Sequence, residues 1–307
     1  MRRMNVLVSG ASGFVGRHVV DLLLEKGHTV FALSRSAELN QQRWPKVSWI
    51  QWNNAHHVAD LKEINKLDAV INLVGEGLDS KRWSNTQKKE IFNSRVDGTK
   101  TIFEMLKQHS LRPEVFVSTS AVGIYGHHDS GEILENTPIA KDFLANLCKD
   151  WEAVVSENSS QYNRYAIIRV GLVLGKGGGM MSKLVPLFKL GLGGKLGNGN
   201  FFMSWIHVKD LARAYVAAVE DSSKTGVYNA TAPFPVKNAE FTKVLANTVD
   251  RPAPFNVPRF ALRIAVGEMA DYMLKGAKVV PNKLKEEDFH FLYPTIERAI
   301  KDVVSKA

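Results

Sequence analysis

Asn5-Val-Leu-Val-Ser-Gly-Ala-Ser-Gly-Phe-Val-Gly16 decides the fold. Its first five residues form a compact, mostly apolar run of strand length. Phe14, Val15, Val19, Val20, Leu23 and Leu24 then recur at helical spacing up to Lys26-Gly27, a helix C-cap signal. A strand that passes through a glycine loop into a helix makes an anion cradle, because the first-turn N–H groups of the helix have no acceptor of their own. In this Gly-x-x-Gly-x-x-Gly spacing, Gly10 lets the chain turn off the strand and Gly13 removes a side chain where a pyrophosphate must approach the backbone. Gly16 lets the helix pack close to the sheet. Ser12, Phe14 and Val15 complete the expected cofactor loop. The alternative is a tight strand-to-helix turn without a ligand, and the order of elements favours the cradle.

Beyond this loop, a second apolar strand, Thr29–Leu33, ends in Ser34-Arg35-Ser36. An Asp or Glu at that end would hydrogen-bond the ribose 2′-hydroxyl of NAD and repel a 2′-phosphate. Ser34 and Arg35 offer a hydroxyl and a guanidinium instead, so NADP (NADPH) is expected, with a solvated arginine as the alternative. Val47–Trp52 and Ala69–Leu73 read as further strands, separated by a helix-compatible stretch over Asp60–Lys66. Strand and helix alternate, which predicts an α/β fold whose parallel sheet is covered on both faces. Leu73, Val74 and Gly75, after the fourth strand, should line the adenine-ribose side. Glu76 in the same loop either faces the cofactor or is solvated.

Gly10-Ala-Ser-Gly-Phe-Val-Gly16 resembles the cofactor loop of the extended and atypical short-chain dehydrogenase/reductases, a group that includes the NAD-dependent epimerases and dehydratases. The resemblance implies a doubly wound parallel Rossmann sheet. Arg95-Val-Asp-Gly-Thr99 is similar to that group's Asn-Val-x-Gly-Thr segment, with arginine replacing an asparagine that helps hold the active-site water and lysine. An altered centre is thereby implied, in which Arg95 reaches the cofactor or pairs with Glu76. Val115–Ser120, running on to Tyr125-Gly126, resembles the strand-end Ser-Ser…Tyr-Gly signature, with one extra residue between Ser120 and Tyr125. It implies Ser120 as the serine that hydrogen-bonds substrate; Ser118, also expected beside the cofactor, and Thr119 are the alternatives.

Members of the group carry Tyr-x-x-x-Lys on the next helix, and Phe143–Glu152 contains no such pair. With Glu152 matched to the glutamate that ends this helix, Leu144 takes the tyrosine position and Cys148 the lysine position. Lys149 stands about 100° further round. Ser120, Tyr125 and Lys149 are the candidates for the remaining chemistry, with Glu76 and His127 expected at the same end of the sheet. Tyr165–Val170 is a sixth strand, and Gly171-Leu-Val-Leu-Gly175 resembles the turn towards a substrate domain, placing Val173 near the nicotinamide. Trp205-Ile-His-Val-Lys-Asp210 resembles the segment that returns to the nucleotide domain. There Asp210 should cap the helix it opens, and His207 should be structural.

A helix is expected over Met180–Leu192; Thr225–Ala230 reads as the last strand, and helices follow over Asn238–Thr248, Pro258–Lys275 and Thr295–Val304. The expected organisation is a nucleotide domain over residues 1–175, rejoined by 207–231, and a smaller, mostly helical substrate domain from 176–206 and 232–307. Asn72-Leu-Val-Gly-Glu76, the arginine-bearing helix, Phe188-Lys-Leu-Gly-Leu-Gly-Gly194 and Gly276-Ala-Lys-Val-Val-Pro281 extend the resemblance over nearly the whole chain. They are similar to the atypical branch called epimerase family proteins, which carry a C-terminal domain of unknown function.

Composition bounds the rest. The 307 residues, 45% hydrophobic, suffice for a large core, and the single cysteine excludes an internal disulfide framework and fits a reducing compartment, the cytoplasm by default. No stretch approaches the roughly 18 uninterrupted apolar residues of a membrane span. The net charge of +9 is scattered and lacks a basic-aromatic stripe, so no nucleic-acid partner is expected; no metal site is expected either. Two functions remain open: an NADP-dependent oxidoreductase or epimerase acting on a small metabolite, or a non-catalytic NADP-binding sensor. The oligomeric state is open.

Overall fold

The computed structural model describes residues 2–53 and 57–305. In chain order its strands are β1 (Asn5–Ser9), β2 (Thr29–Ser34), β3 (Ser48–Gln51), β4 (Ala69–Asn72), β5 (Val115–Ala121), β6 (Glu132–Ile133), β7 (Arg164–Val170) and β8 (Leu172–Leu174). They continue as β9 (Gly194–Leu196), β10 (Phe202–Met203), β11 (Trp205–His207), β12 (Gly226–Ala230), β13 (Val236–Lys237), β14 (Phe255–Val257) and β15 (Lys278–Val279). The helices are α1 (Phe14–Glu25), α2 (Ala37–Arg43), α3 (Asn85–Gln108), α4 (Phe143–Glu157), α5 (Met181–Lys189) and α6 (Val208–Glu220). After these come α7 (Asn238–Thr248), α8 (Arg259–Val266), α9 (Met269–Met273), α10 (Asn282–Glu286) and α11 (Ile296–Val304).

Seven strands form one parallel sheet in the order β12-β7-β5-β4-β1-β2-β3. The fold is Rossmann-like α/β, with a smaller helical C-terminal region. Apolar runs such as Val6-Leu7-Val8 and Ala69-Val70-Ile71 are wholly buried because both faces of the sheet are covered. One face packs Val6, Val8 and Ile71 against Val19 and Leu23 of α1 and Leu211 and Tyr215 of α6. The other packs Leu7, Val70 and Phe116 against Ile102 and Phe103 of α3 and Trp151 and Val155 of α4. A third core joins Met181 and Phe188 of α5, Trp205, Phe241 of α7 and Ile300 of α11.

Strand order reverses at β1, which pairs with β2 on one side and β4 on the other. In open α/β sheets a crevice forms at that switch point, outside the carboxyl ends of the strands.

Several elements depart from expectation. β12 is the last strand of the main sheet but not of the chain, since the short strands β13, β14 and β15 follow it. Asp60–Lys66 is not helical: the Asp60 side chain accepts the N–H of Lys62 at 3.1 Å, an Asx turn that competes with helix, while Leu61, Ile64 and Leu67 are buried. The polar stretch Ala37–Arg43 forms α2. The predicted single helix Pro258–Lys275 is two, α8 and α9, broken at Gly267 with φ 69°.

Candidate functional site

The crevice begins at the loop between β1 and α1. Gly10 has φ 65°, and a Cβ there would lie 2.7 Å from the Leu73 carbonyl oxygen, so the loop after β4 lies close against it. Gly13 N-caps α1 with φ −71° and ψ 173°, and a Cβ there would meet only the Gly10 oxygen, at 3.1 Å. The exposed Gly13 therefore leaves room in front of the first turn, which carries no acidic residue. Gly16 acts differently from the expectation of helix-to-sheet packing. Its Cβ would fall 2.1 Å from the Gly10 oxygen and 2.7 Å from that of Ala11, so it lets the loop fold onto its own helix. Ser12 is exposed, Phe14 and Val15 are half-buried, and the Phe14 ring fills the space that Cβ atoms at Gly175 and Gly178 would need. A dinucleotide's pyrophosphate fits such a cradle of open N–H groups.

At the end of β2 the Ser34 hydroxyl accepts hydrogen bonds from the Ser36 N–H at 3.0 Å and from the Asn40 side chain at 2.7 Å. Its own proton is left for a further acceptor. Arg35 is exposed, and its guanidinium has no hydrogen bond or ion pair among the described residues.

On the other side of β1, a buried polar chain shapes the loop after β4. Ser9 donates to Asn72 at 2.8 Å, Asn72 donates to Thr99 at 2.8 Å, and the Trp151 indole donates to Thr99 at 2.8 Å. Ser9 also receives the N–H of Leu73 at 3.0 Å, and Ser94 receives that of Glu76 at 2.9 Å. Asn72 and Thr99 were not predicted as site residues. The signal was present: a polar residue ends the otherwise apolar strand Ala69–Asn72, which β1 pairs so that Asn72 stands beside Ser9 at the start of the glycine loop. Leu73, Val74 and Glu76 are half-buried and Gly75 is exposed, all on the crevice side of β4.

Arg95 comes up from α3 against this loop. A Cβ on Gly75 would lie 3.1 Å from its Cζ, which stands 5.5 Å from the centre of the Trp151 ring. Burial lowers its pKa, opposed by the nearby Cys148 and Glu76. The expected ion pair with Glu76 does not form: among the described residues no carboxylate is within ion-pair distance, and the only hydrogen bond of the guanidinium runs to the Ile91 carbonyl at 3.2 Å.

Of the three residues expected to be catalytic, Ser120 and Tyr125 share one hydrogen-bonded network and Lys149 is exposed outside it. Ser120 is buried on the α4 side of β5 and donates to Glu152 at 2.6 Å. Glu152 is held by Arg169 through two bonds of 2.8 Å, and Arg169 donates also to the Tyr125 hydroxyl at 2.8 Å, which itself donates to Asn229 at 2.7 Å. Burial raises the Tyr125 pKa despite Arg169, and that of Arg169 is raised because the bonds to Glu152 outweigh its burial. Ser120 and Tyr125 therefore belong to a closed buried network whose partners absorb both hydroxyls. Lys149 is exposed on α4, and both ring nitrogens of His127 are engaged, with Gly276 and Asp129.

Leu144, at the position expected for a tyrosine, faces the turn after β5, where a Cβ on Gly123 would lie 3.5 Å away. Cys148 is buried, its thiol pushed up to about 11 by desolvation. Ser118 is buried; Val173, on β8, is half-buried. Thr119 donates to the Asn72 carbonyl at 2.8 Å and meets the Tyr215 hydroxyl at 2.6 Å.

His207, not Asp210, caps α6, accepting the N–H of Lys209 at 3.3 Å. The Asp210 carboxylate, fully buried, instead receives the N–H groups of Leu292 and Tyr293 at 2.8 and 2.9 Å. The side chain thus pins a distant segment that sequence spacing does not reveal.

The chain belongs to the NAD dependent epimerase/dehydratase family, whose model matches residues 6–231. Residues 257–303 match a domain of unknown function, DUF1731, so the resemblance read from the glycine loop and the C-terminal motifs holds over both parts. Among its relatives, the epimerase family protein SDR39U1 homolog, chloroplastic, of Arabidopsis thaliana is 36% identical over 312 residues, covering 98% of this chain and 87% of that protein. Epimerase family protein SDR39U1 of Mus musculus is 34% identical over 306 residues, covering 98% and 100%. The crystal structure of human epimerase family protein SDR39U1 (isoform2) with NADPH superposes with a TM-score of 0.87 at 31% identity, over 98% of this chain and 99% of that one. No helix among the described residues is long and apolar enough to cross a membrane.

Proposed function

We propose that the crevice binds NADPH and that the chain is an oxidoreductase or epimerase acting on a small metabolite in a reducing compartment such as the cytoplasm. On this reading it has no nucleic-acid or membrane partner. The observation that carries the proposal is the open first turn of α1 in front of Gly13, with the exposed Arg35, which has no partner among the described residues, at the end of the neighbouring strand. The human relative's structure with NADPH supports it. In this assignment the α1 N-terminus, with Gly10, Ser12, Gly13, Phe14, Val15 and Gly16, holds the pyrophosphate, and Ser34 and Arg35 hold the 2′-phosphate. Leu73, Val74, Gly75, Glu76, Arg95, Ser118 and Val173 line the remainder.

Bound NADPH would supply a hydride donor. Around it Ala121, Val122 and Leu144, partly exposed at the ends of β5 and α4, present apolar surface that excludes water and transfers no proton. Residues 176–206 and 232–307 are assigned to holding the substrate.

Titration calorimetry tests the cofactor assignment. NADPH should bind at least about tenfold more tightly than NADH, the effect of one charge-assisted hydrogen bond of roughly 1.5–3 kcal/mol. Arg35→Glu should reverse the preference. Equal affinities in the unmodified protein would remove the basis for assigning Ser34 and Arg35 to a 2′-phosphate.

A further inference from the structure

Arg95 is a half-buried cation that no carboxylate pairs among the described residues. A guanidinium carries five donors and stays charged at any physiological pH, so placing it in protein costs free energy unless the donors find acceptors. Here a single bond to the Ile91 carbonyl of its own helix is the only hydrogen bond among the described residues. Two neighbours hold the fork in place. The Trp151 ring lies 5.5 Å from its Cζ, and the absence of a side chain at Gly75 gives the group its room. A Cβ there would stand 3.1 Å from Cζ and 3.3 Å from Nε, so the guanidinium packs against Gly75, which is itself exposed.

Topology says which part of a dinucleotide this position meets. The sheet runs β5-β4-β1-β2, and a ligand whose pyrophosphate lies over β1 has its halves on opposite sides of that strand. Arg35 ends β2 and marks the adenosine side. Arg95 stands beyond β4, between α3 and α4, on the opposite side, so this assignment gives the loop at Gly75 to the nicotinamide half instead of the adenine-ribose side expected from its place after β4. Cys148, buried on α4 beside it, offers no charge of its own.

We infer that Arg95 is a binding residue for the nicotinamide half of NADPH, the guanidinium N–H groups that have no acceptor among the described residues donating to the ribose hydroxyls or phosphate of that half beside Gly75. The inference rests on the proposed NADPH site and adds to it a second fixed cation, so that each half of the cofactor is held by its own arginine.

Fragments of the cofactor separate the two halves. Calorimetry on the full chain should measure NADPH, reduced nicotinamide mononucleotide and adenosine 2′,5′-bisphosphate against the wild type, Arg95→Met and Arg95→Lys. Methionine keeps the apolar stem on Trp151 and removes the fork. It should weaken NADPH and the mononucleotide by about 10- to 100-fold, the loss for a hydrogen bond to a charged group, and leave the bisphosphate within about twofold. Lysine keeps the charge without the fork and should fall between, which carries the test should the methionine variant fail to fold. Equal weakening of all three ligands, or of none, overturns the assignment of Arg95. A wild type that binds neither NADPH nor the bisphosphate overturns the cofactor site itself, a result distinct from a variant that binds as the wild type does.

Discussion

Gly13 and Gly16 sit three residues apart in one loop and answer to different constraints. A side chain at Gly13 meets one backbone oxygen, that of Gly10, at 3.1 Å, a tight contact relieved by a shift of a few tenths of an ångström, and its φ of −71° suits any residue. Gly13→Val should therefore cost at most about 1 kcal/mol of stability, as for an unfavourable N-cap, while its methyl groups occupy the place of a phosphate and abolish NADPH binding. At Gly16 a Cβ would overlap two backbone oxygens that cannot swing away. Gly16→Ala should destabilise by about 1–3 kcal/mol, the usual cost of overpacking. Urea melts and calorimetry on the two variants check the contrast; equal losses of stability would show that the loop relaxes freely. The sequence marked all three glycines but gave Gly16 the wrong neighbour, since spacing cannot tell whether a helix presses on the sheet or on its own entry loop. Ser120 and Tyr125 show a related limit. Their residue types suit catalysis, but the partners that hold both hydroxyls, Glu152 and Arg169, stand 17 residues apart in sequence and are joined at 2.8 Å only by folding.

Among the elements, the seven sheet strands were legible to within one residue at either end because two-sided burial demands unbroken apolar runs. Polar pieces were not: α2 has little apolar pattern to announce it, and Asp60–Lys66 has helical spacing that an Asx turn overrides. Where α6 begins, His207 sets a pH dependence. It is buried, stacked on Tyr293 at 3.8 Å, and lies 3.2 Å from Asp302, whose carboxylate is near its Nε2 without a well-formed hydrogen bond. Desolvation brings its pKa down to about 4, with Asp302 opposing, from an ordinary 6.5. The unfolded chain then takes the proton first as pH falls. Stability is complete above about pH 6.5 and is lost as pH drops through 6.5 towards 4, amounting to about 2 kcal/mol between pH 7 and pH 5. His207→Asn keeps an acceptor for the Lys209 N–H and should abolish this part of the slope. Urea melts of both proteins at the two pH values decide it, and parallel losses would mean that His207 is not the group responsible.

At the scale of the molecule, the region matching the domain of unknown function is woven into the sheet domain. Asn229 and Thr231 at the end of β12 donate to the carbonyls of Val280 and Val279 at 3.1 Å, Leu284 of α10 packs in the sheet core, and β15 pairs with β6. Asp210 depends for two of its bonds on Leu292 and Tyr293. Removing residues 257–303 would leave that carboxylate buried without these partners, a loss on the order of 3–5 kcal/mol before any lost packing. The truncated chain should lack a cooperative urea transition and a near-ultraviolet dichroism signal, whereas the whole chain should unfold in one step. A truncated protein that melts sharply would show that the sheet domain stands alone.

The pairing of β6 with β15 also bears on how the chain is made. Glu135, just after β6, accepts the backbone N–H of Lys283, a partner 148 residues further along. At roughly 5–20 residues per second, a ribosome needs about 7–30 s to supply it. During that interval α4, β7, α6 and β12 are made in turn, and Asn229 and Thr231 at the end of β12 must wait in their turn for carbonyls 51 and 48 residues further along. The sheet therefore closes late, and until those carbonyls arrive the edge at β12, rather than the glycine loop, is the surface a chaperone would meet.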